Sequence, residues 1–215
     1  MLRLALHASE PLNILCVGAH ADDIEIGAGG AILTLLDAYP ESRVHWIVFS
    51  AVGARADEAR ASAAAFLERA GESRVMLHDF RDGFFPSAYE RIKETFEEMK
   101  PLAPDLVFTH QRADHHQDHR IVCELTWNTF RDHLVLEYEV PKYDPDLGNP
   151  NLFVPLEKRC VEAKAGLLMA HFRTQHGRRW FTPDTFEALM RLRGVQGAAP
   201  SGFAEAFYAP KLMLA

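Results

Sequence analysis

Short, near-continuously apolar runs that alternate with longer amphipathic ones constrain this chain more than any other feature. Residues 13–17, 44–49, 75–77 and 105–109 are rich in Val, Ile, Leu and Phe and leave no polar face, as parallel strands covered on both sides require. The segments between them, 30–38, 57–70 and 89–99, read as helices. The second is Ala-rich and stops at Gly71, and the third stops before Pro101. A fourth helix is expected from Asp118, a suitable N-cap, to about Phe130, and residues 134–140 supply a fifth strand. Strand and helix alternating in this way imply right-handed crossovers and a mostly parallel sheet. The fold class is therefore α/β, a Rossmann-like three-layer sandwich, and any ligand site belongs at the carboxyl ends of the strands.

The rhythm breaks at residues 141–155, where four prolines, Gly148 and two asparagines read as a long loop of a kind that is often functional. Helices at 156–171 and 183–193 and an extended piece at 204–208 complete the pattern. No repeat or low-complexity stretch interrupts it, so one domain over 1–215 is expected. The net charge of −7 argues against non-specific nucleic-acid binding, which needs a basic face. From Glu157 to Arg193, however, eight Lys/Arg stand against four Asp/Glu, either solvated helix faces or a positive rim for an anionic substrate. Cys16, Cys123 and Cys160 are far apart and odd in number, with no CxxC pair, which fits a reducing compartment. The apolar run within residues 1–7 is too short for a signal peptide, and no run approaches the length of a membrane span. A cytoplasmic protein with a small-molecule partner is expected, and a homo-oligomer is open.

Two clusters carry the chemistry. The first, Gly18-Ala19-His20-Ala21-Asp22-Asp23, falls where a strand gives way to a helix, and the second, His110 to Arg120, follows another strand. His20, Asp23 and His119 make two imidazoles and one carboxylate, a catalytic zinc set that leaves a coordination position open. Zn2+ is the expected ion, and Fe2+, Co2+ or Ni2+ accept the same ligands. Side chains of adjacent residues diverge, so Asp22 is expected over the open position, where it can take a proton from a polarised water. His116 is expected opposite it as an imidazolium that stabilises an oxyanion or protonates a leaving amine, oriented and charged by Asp118. Gly27, Gly29 and Gly30 invite a dinucleotide reading, but position 32 is Ile and no acidic residue closes the second strand. Close packing of the helix start on the sheet explains these glycines better.

On these residues the chain resembles the LmbE-like, or PIG-L, family of metal-dependent N-acetylglucosaminyl deacetylases. Its motifs stand here as Ala19-His20-Ala21-Asp22-Asp23 and His116-Gln117-Asp118-His119, with Ala21 and Gln117 where the family has proline. The resemblance continues through Arg55-Ala56-Asp57-Glu58, Asp82-Gly83, Thr109-His110, His171 to Gln175 and Ala204-Glu205-Ala206-Phe207. It implies His20, Asp23 and His119 as ligands, Asp22 as base, and His116 with Asp118 as the electrostatic pair. It also implies an arginine near the substrate at Arg55. The implied reaction is hydrolysis of the N-acetyl group of an amino sugar or its conjugate, with carrier choice in the 141–155 loop and the basic region after it. The competing readings are a metal-dependent hydrolase of an ester or non-sugar amide, and a non-catalytic binding module. An intact Asp22 argues against the module, since binding alone needs no base.

Overall fold

The computed structural model describes Leu6 and residues 11–213. The opening segment, read above as too short for a leader, lies outside the described residues apart from Leu6. Among the described residues, seven strands form one sheet: β1 (Asn13–His20), β2 (Arg43–Ser50), β3 (Glu72–Leu77), β4 (Leu106–His110), β5 (Leu134–Tyr138), β6 (Leu152–Pro155) and β7 (Ala204–Tyr208). Their order is β3-β2-β1-β4-β5-β7-β6. The first five run parallel, and β7 is antiparallel to both β5 and β6. Among the described residues, six α-helices cover the sheet: α1 (Asp23–Ala38), α2 (Ala54–Phe66), α3 (Tyr89–Met99), α4 (Gln117–Thr129), α5 (Lys158–His171) and α6 (Pro183–Gln196). No helix among the described residues is long and apolar enough to cross a membrane.

The side-chain period of a strand divides the core in two. Ile14, Cys16 and Trp46 face α1, α2, α5 and α6 through Ile24, Phe66, Leu168 and Phe186. Leu15, Val17 and Ile47 face α3 and α4 through Ile92, Phe96, Val122 and Leu125. The result is the three-layer α/β arrangement expected from the apolar runs.

Three elements differ from expectation. Helix α1 begins at Asp23, not at Gly30, so the glycines lie inside it. Helix propensity disfavours glycine there, but packing overrides it: a Cβ at Gly27 would overlap the Tyr138 ring, and one at Gly30 would lie 2.7 Å from the Leu156 side chain. Within the expected 141–155 loop, residues 152–155 form β6, an edge strand where a terminal proline is tolerated. The N-cap of α4 is His116, whose side chain accepts from the Asp118 backbone N–H, and Asp118 itself lies inside the helix.

Strand β1 connects through α1 to β2 on one side, while β4 packs on its other side. The carboxyl ends of β1 and β4 therefore flank the topological switch point, where an open α/β sheet leaves a crevice for a ligand.

Candidate metal centre

Both sequence clusters meet at this crevice. His20 ends β1, and Asp23 opens α1 after a turn of Ala21 and Asp22. The turn is tight enough to hold Asp22 at φ 121°, a region costly for a residue with a Cβ. The Asp23 carboxylate folds back to accept the His20 backbone N–H at 2.7 Å. From the other side, α4 brings in His119 within its first turn.

Hydrogen bonds decide which ring nitrogens face inward. His20 Nε2 lies 3.2 Å from Asp118 Oδ2 and 3.1 Å from Asp82 Oδ1. Carboxylates only accept, so Nε2 carries a proton and Nδ1 turns toward the centre. His119 Nδ1 donates to Asp114 Oδ2 at 2.9 Å, which leaves the Nε2 lone pair free, as carboxylate–histidine pairs do around metals. His20 Nδ1, His119 Nε2 and Asp23 Oδ2 form a triangle with edges of 3.2, 3.4 and 3.5 Å. Ligand atoms about 2.0–2.2 Å from a tetrahedral zinc lie roughly 3.3–3.6 Å apart. Once His20 Nδ1 gives up its proton, three acceptors converge in a buried place, and a divalent ion between them fits.

Among the described residues, three further combinations of side chains around this point could hold an ion: Asp23, His110 and His119; His20, His116 and His119; and His20, Asp82, His116 and Asp118. The hydrogen bonds of the other rings narrow the choice. His110 Nε2 accepts the Ala19 N–H at 2.9 Å, and His116 Nδ1 accepts the Asp118 N–H at 3.3 Å. In a neutral imidazole each of those bonds occupies the one lone pair. That favours the triangle of His20, Asp23 and His119 as the candidate ligand set.

Charge and burial set the protonation states. Burial alone would push the His20 imidazole down, but hydrogen bonds to Asp118, Asp23 and Asp82 outweigh it and hold its pKa well above the ordinary value. The His119 imidazole goes the other way, pushed down to about 4 by burial and by neighbouring His110. Burial works against the Asp23 carboxylate, but His119 and His110 beside it hold it well below the usual range. Asp22 is raised well above that range by burial, with Asp23 and Glu25 adding to the effect and Arg55 opposing it. His116 is lowered by burial and by His20 against the pull of Asp118, Asp23 and Asp82.

Asp118, expected to orient and charge His116 with its carboxylate, bonds to that ring through its backbone N–H, and its carboxylate acts on it as a nearby charge. The carboxylate instead accepts the Gly83 N–H at 2.7 Å and the Phe85 N–H at 3.2 Å, and contacts His20. The downward shift at His116 runs against the expected imidazolium, and its Nδ1 accepts the Asp118 N–H. Its centroid lies 4.8 Å from that of His20 and 4.6 Å from that of His119. Arg55 is held on the protein: it pairs with Asp22 Oδ1 at 3.0 Å, donates to the Ala21 carbonyl, and reaches Glu58 and Thr174. Four of the eight basic residues after Glu157 are also paired, Lys158 with Glu162, Arg159 with Asp37, Lys164 with Glu205 and Arg193 with Glu139.

Sequence reasoning missed His110, Asp82 and Asp114. His110 is fully buried, stacks on His119 at 3.9 Å and reaches Asp23 Oδ2 at 3.3 Å. A titratable residue closing an apolar central strand was the available signal. Asp114, five residues before His119, was legible only as one member of a polar cluster.

An α/β sheet with two histidines and a carboxylate converging at its switch point has the form of a hydrolase-type site. The chain belongs to the PIG-L family, described as GlcNAc-PI de-N-acetylase, whose family model matches residues 15–130. None of the curated proteins matches it in sequence. Among solved structures, a conserved protein from Thermus thermophilus is 20% identical, with a TM-score of 0.75 over 95% of this chain and 97% of that one. The N,N'-diacetylchitobiose deacetylase of Pyrococcus horikoshii is 18% identical, with a TM-score of 0.68 over 90% of this chain and 82% of that one. GalB, the 4-carboxy-2-hydroxymuconate hydratase of Pseudomonas putida, is 18% identical, with a TM-score of 0.73 over 94% and 97%. At these identities the likeness is one of fold.

Proposed function

We propose that this protein is a divalent-metal-dependent deacetylase that hydrolyses the N-acetyl group of an amino sugar or its conjugate, with zinc held by His20, Asp23 and His119. The observation that carries the reading is the triangle of inward-facing acceptors with the buried carboxylate of Asp22 beside it. Family membership supports deacetylation, and the Pyrococcus fold neighbour acts on an N-acetylated sugar. When bound, the ion supplies Lewis-acid chemistry, polarising the acetyl carbonyl and strengthening water as a nucleophile.

The chain supplies the proton handling. Asp22 takes a proton from the water that attacks the acetyl carbon, and burial raises its basicity for that task. Arg55 fixes one Asp22 oxygen, a positioning role. His116 offers Nε2–H to the developing oxyanion in its neutral form, because Asp118 N–H occupies Nδ1. As the C–N bond breaks, the proton on Asp22 passes to the leaving amine, and acetate and free amine result. Asp118 holds His20 in the orientation that aims Nδ1 at the centre.

The test is acetate release from a panel of N-acetyl sugars by protein stripped of metal and then reloaded with zinc. Release restored by zinc supports the reading. Full release from stripped protein refutes the metal dependence, and release only from esters or non-sugar amides refutes the substrate class.

A further inference from the structure

We propose that Lys142 is a positioning residue for the metal centre, clamping the turn that carries His116 and His119 from the loop after β5. The inference rests on the reading of His20, Asp23 and His119 as the metal site. Lys142 Nζ lies 3.0 Å from Asp114 Oδ1 and 2.5 Å from Asp146 Oδ2, with the Asp144 carboxylate at 4.0 Å. Its side chain is only 10% exposed, and both nearer carboxylates are buried.

Each carboxylate grips a different part of the same turn. Asp114 accepts the His119 imidazole N–H through Oδ2 and the His116 backbone N–H, at 2.7 Å, through Oδ1. Asp146 accepts the His115 backbone N–H at 2.9 Å, and its carbonyl accepts from the Gln111 side chain at 3.0 Å. Two buried carboxylates this close repel unless a cation lies between them. Lys142 is that cation. Without it, Asp114 and Asp146 move apart, and the backbone at His115 and His116 loses one or both anchors. The His119 ring then loses the hydrogen bond that aims its Nε2. The loop at 141–151 and the metal-facing imidazole thus behave as one mechanical unit, although Lys142 touches neither the ion nor the substrate.

The experiment measures zinc affinity of metal-stripped protein by competition with a chromogenic chelator, and the visible absorption bands of the cobalt-loaded form. Lys142→Met is expected to weaken zinc binding by about 10–100-fold, the range for loss of an outer-shell partner, and to shift the cobalt bands. Its turnover number should fall more than its KM rises. Lys142→Met combined with Asp146→Asn removes the repulsion and leaves an amide able to bridge the same groups, so zinc affinity should return to within about threefold of the parent. His119→Ala marks the floor. The role of Lys142 is overturned if Lys142→Met binds zinc like the parent with unchanged cobalt bands, or if the double variant is no better than the single one. Should Lys142→Met fail to fold, the double variant decides: parent-like affinity supports the clamp and floor-level affinity rejects it. If the parent itself binds zinc no better than His119→Ala, the metal reading fails and takes this inference with it.

Discussion

The connection from β1 to α1 consists of Ala21 and Asp22 alone and stores its geometry in a strained backbone. The connection from β4 to α4, residues 111–116, stores its geometry in side-chain hydrogen bonds. The first has no side-chain cap on its helix and forces the φ of Asp22, with the Asp23 carboxylate folded back on the His20 N–H and Asp22 held by Arg55. The second is capped by His116, anchored by Asp114 and Asp146, and tied down by Arg120 on the Asp114 and His115 carbonyls. A two-residue turn admits few alternatives, so damage there should be all-or-none. A hydrogen-bonded loop can lose one partner and keep the rest, so damage there should be graded.

The largest effect tests the place where the two turns meet. His20→Ala and His119→Ala should each lose most of the bound zinc and reduce acetate release on the order of 10⁴-fold or more, since a Lewis acid contributes several kcal/mol. The two histidines should nonetheless differ in their protons. His20 has a raised pKa and carries a proton near pH 7 in the metal-free protein, whereas His119, at about 4, is already neutral. Zinc binding near pH 7 should therefore release about one proton, from His20, and affinity should rise with pH until the folded pKa of His20 is passed. Titration calorimetry in buffers of different ionisation enthalpy measures that proton. A value of zero would remove His20 from the ligand set.

Next comes the base on the strained turn. Asp22→Asn should retain zinc but lose about 10²–10⁴-fold in turnover. Loss of zinc in this variant, with zinc retained in Asp23→Asn, would exchange the roles of the two carboxylates. On the hydrogen-bonded turn, His116→Ala should cost about 10²–10³-fold, the usual loss for one oxyanion donor, with KM little changed. Because the neutral ring is the donor, removing His116 should leave the alkaline side of the pH–rate profile in place. Disappearance of an alkaline limb in His116→Ala would restore the imidazolium as the working form.

The same contrast explains what was legible in the sequence. Strand positions followed from continuous apolar runs, and the strand–helix alternation alone assigned the residues at strand ends to one crevice. Asp22, Asp23 and His20 were visible because the short turn packs them into four consecutive positions. The longer turn hid its logic in distant partners: Lys142 and Asp146 lie far from His119 in sequence, and nothing local to 141–155 marks them out among the prolines. The hydrogen-bond partners of the Asp118 carboxylate were hidden for a related reason. Proximity in sequence pointed to His116, but a helical residue two positions on projects elsewhere, and its carboxylate reaches His20. The start of α1 was missed because glycine weakens helix propensity, while the need for that glycine appears only when Tyr138 packs against it.

The smallest expected effect separates the turns by stability alone. Asp22 sits at φ 121° and ψ −19°, a conformation open to glycine and costing other residues about 1–3 kcal/mol. Asp22→Gly relieves that strain and removes a buried carboxylate, against a conformational-entropy cost of roughly 0.5–1 kcal/mol. The Arg55 ion pair is lost, but Arg55 keeps Ala21, Glu58 and Thr174 as partners. A net gain of about 1 kcal/mol corresponds to a thermal midpoint roughly 2–4 °C higher for a chain of this size, in a protein without its base. His116, by contrast, has an ordinary extended φ of −73° and caps α4 with its side chain. His116→Gly relieves nothing and removes the cap, so its midpoint should fall. Thermal melts of the two metal-free variants, side by side with the parent, read the difference in sign. If both midpoints fall, the β1–α1 turn is held by its side-chain contacts in the same way as its counterpart, and the strain at Asp22 is not what distinguishes them.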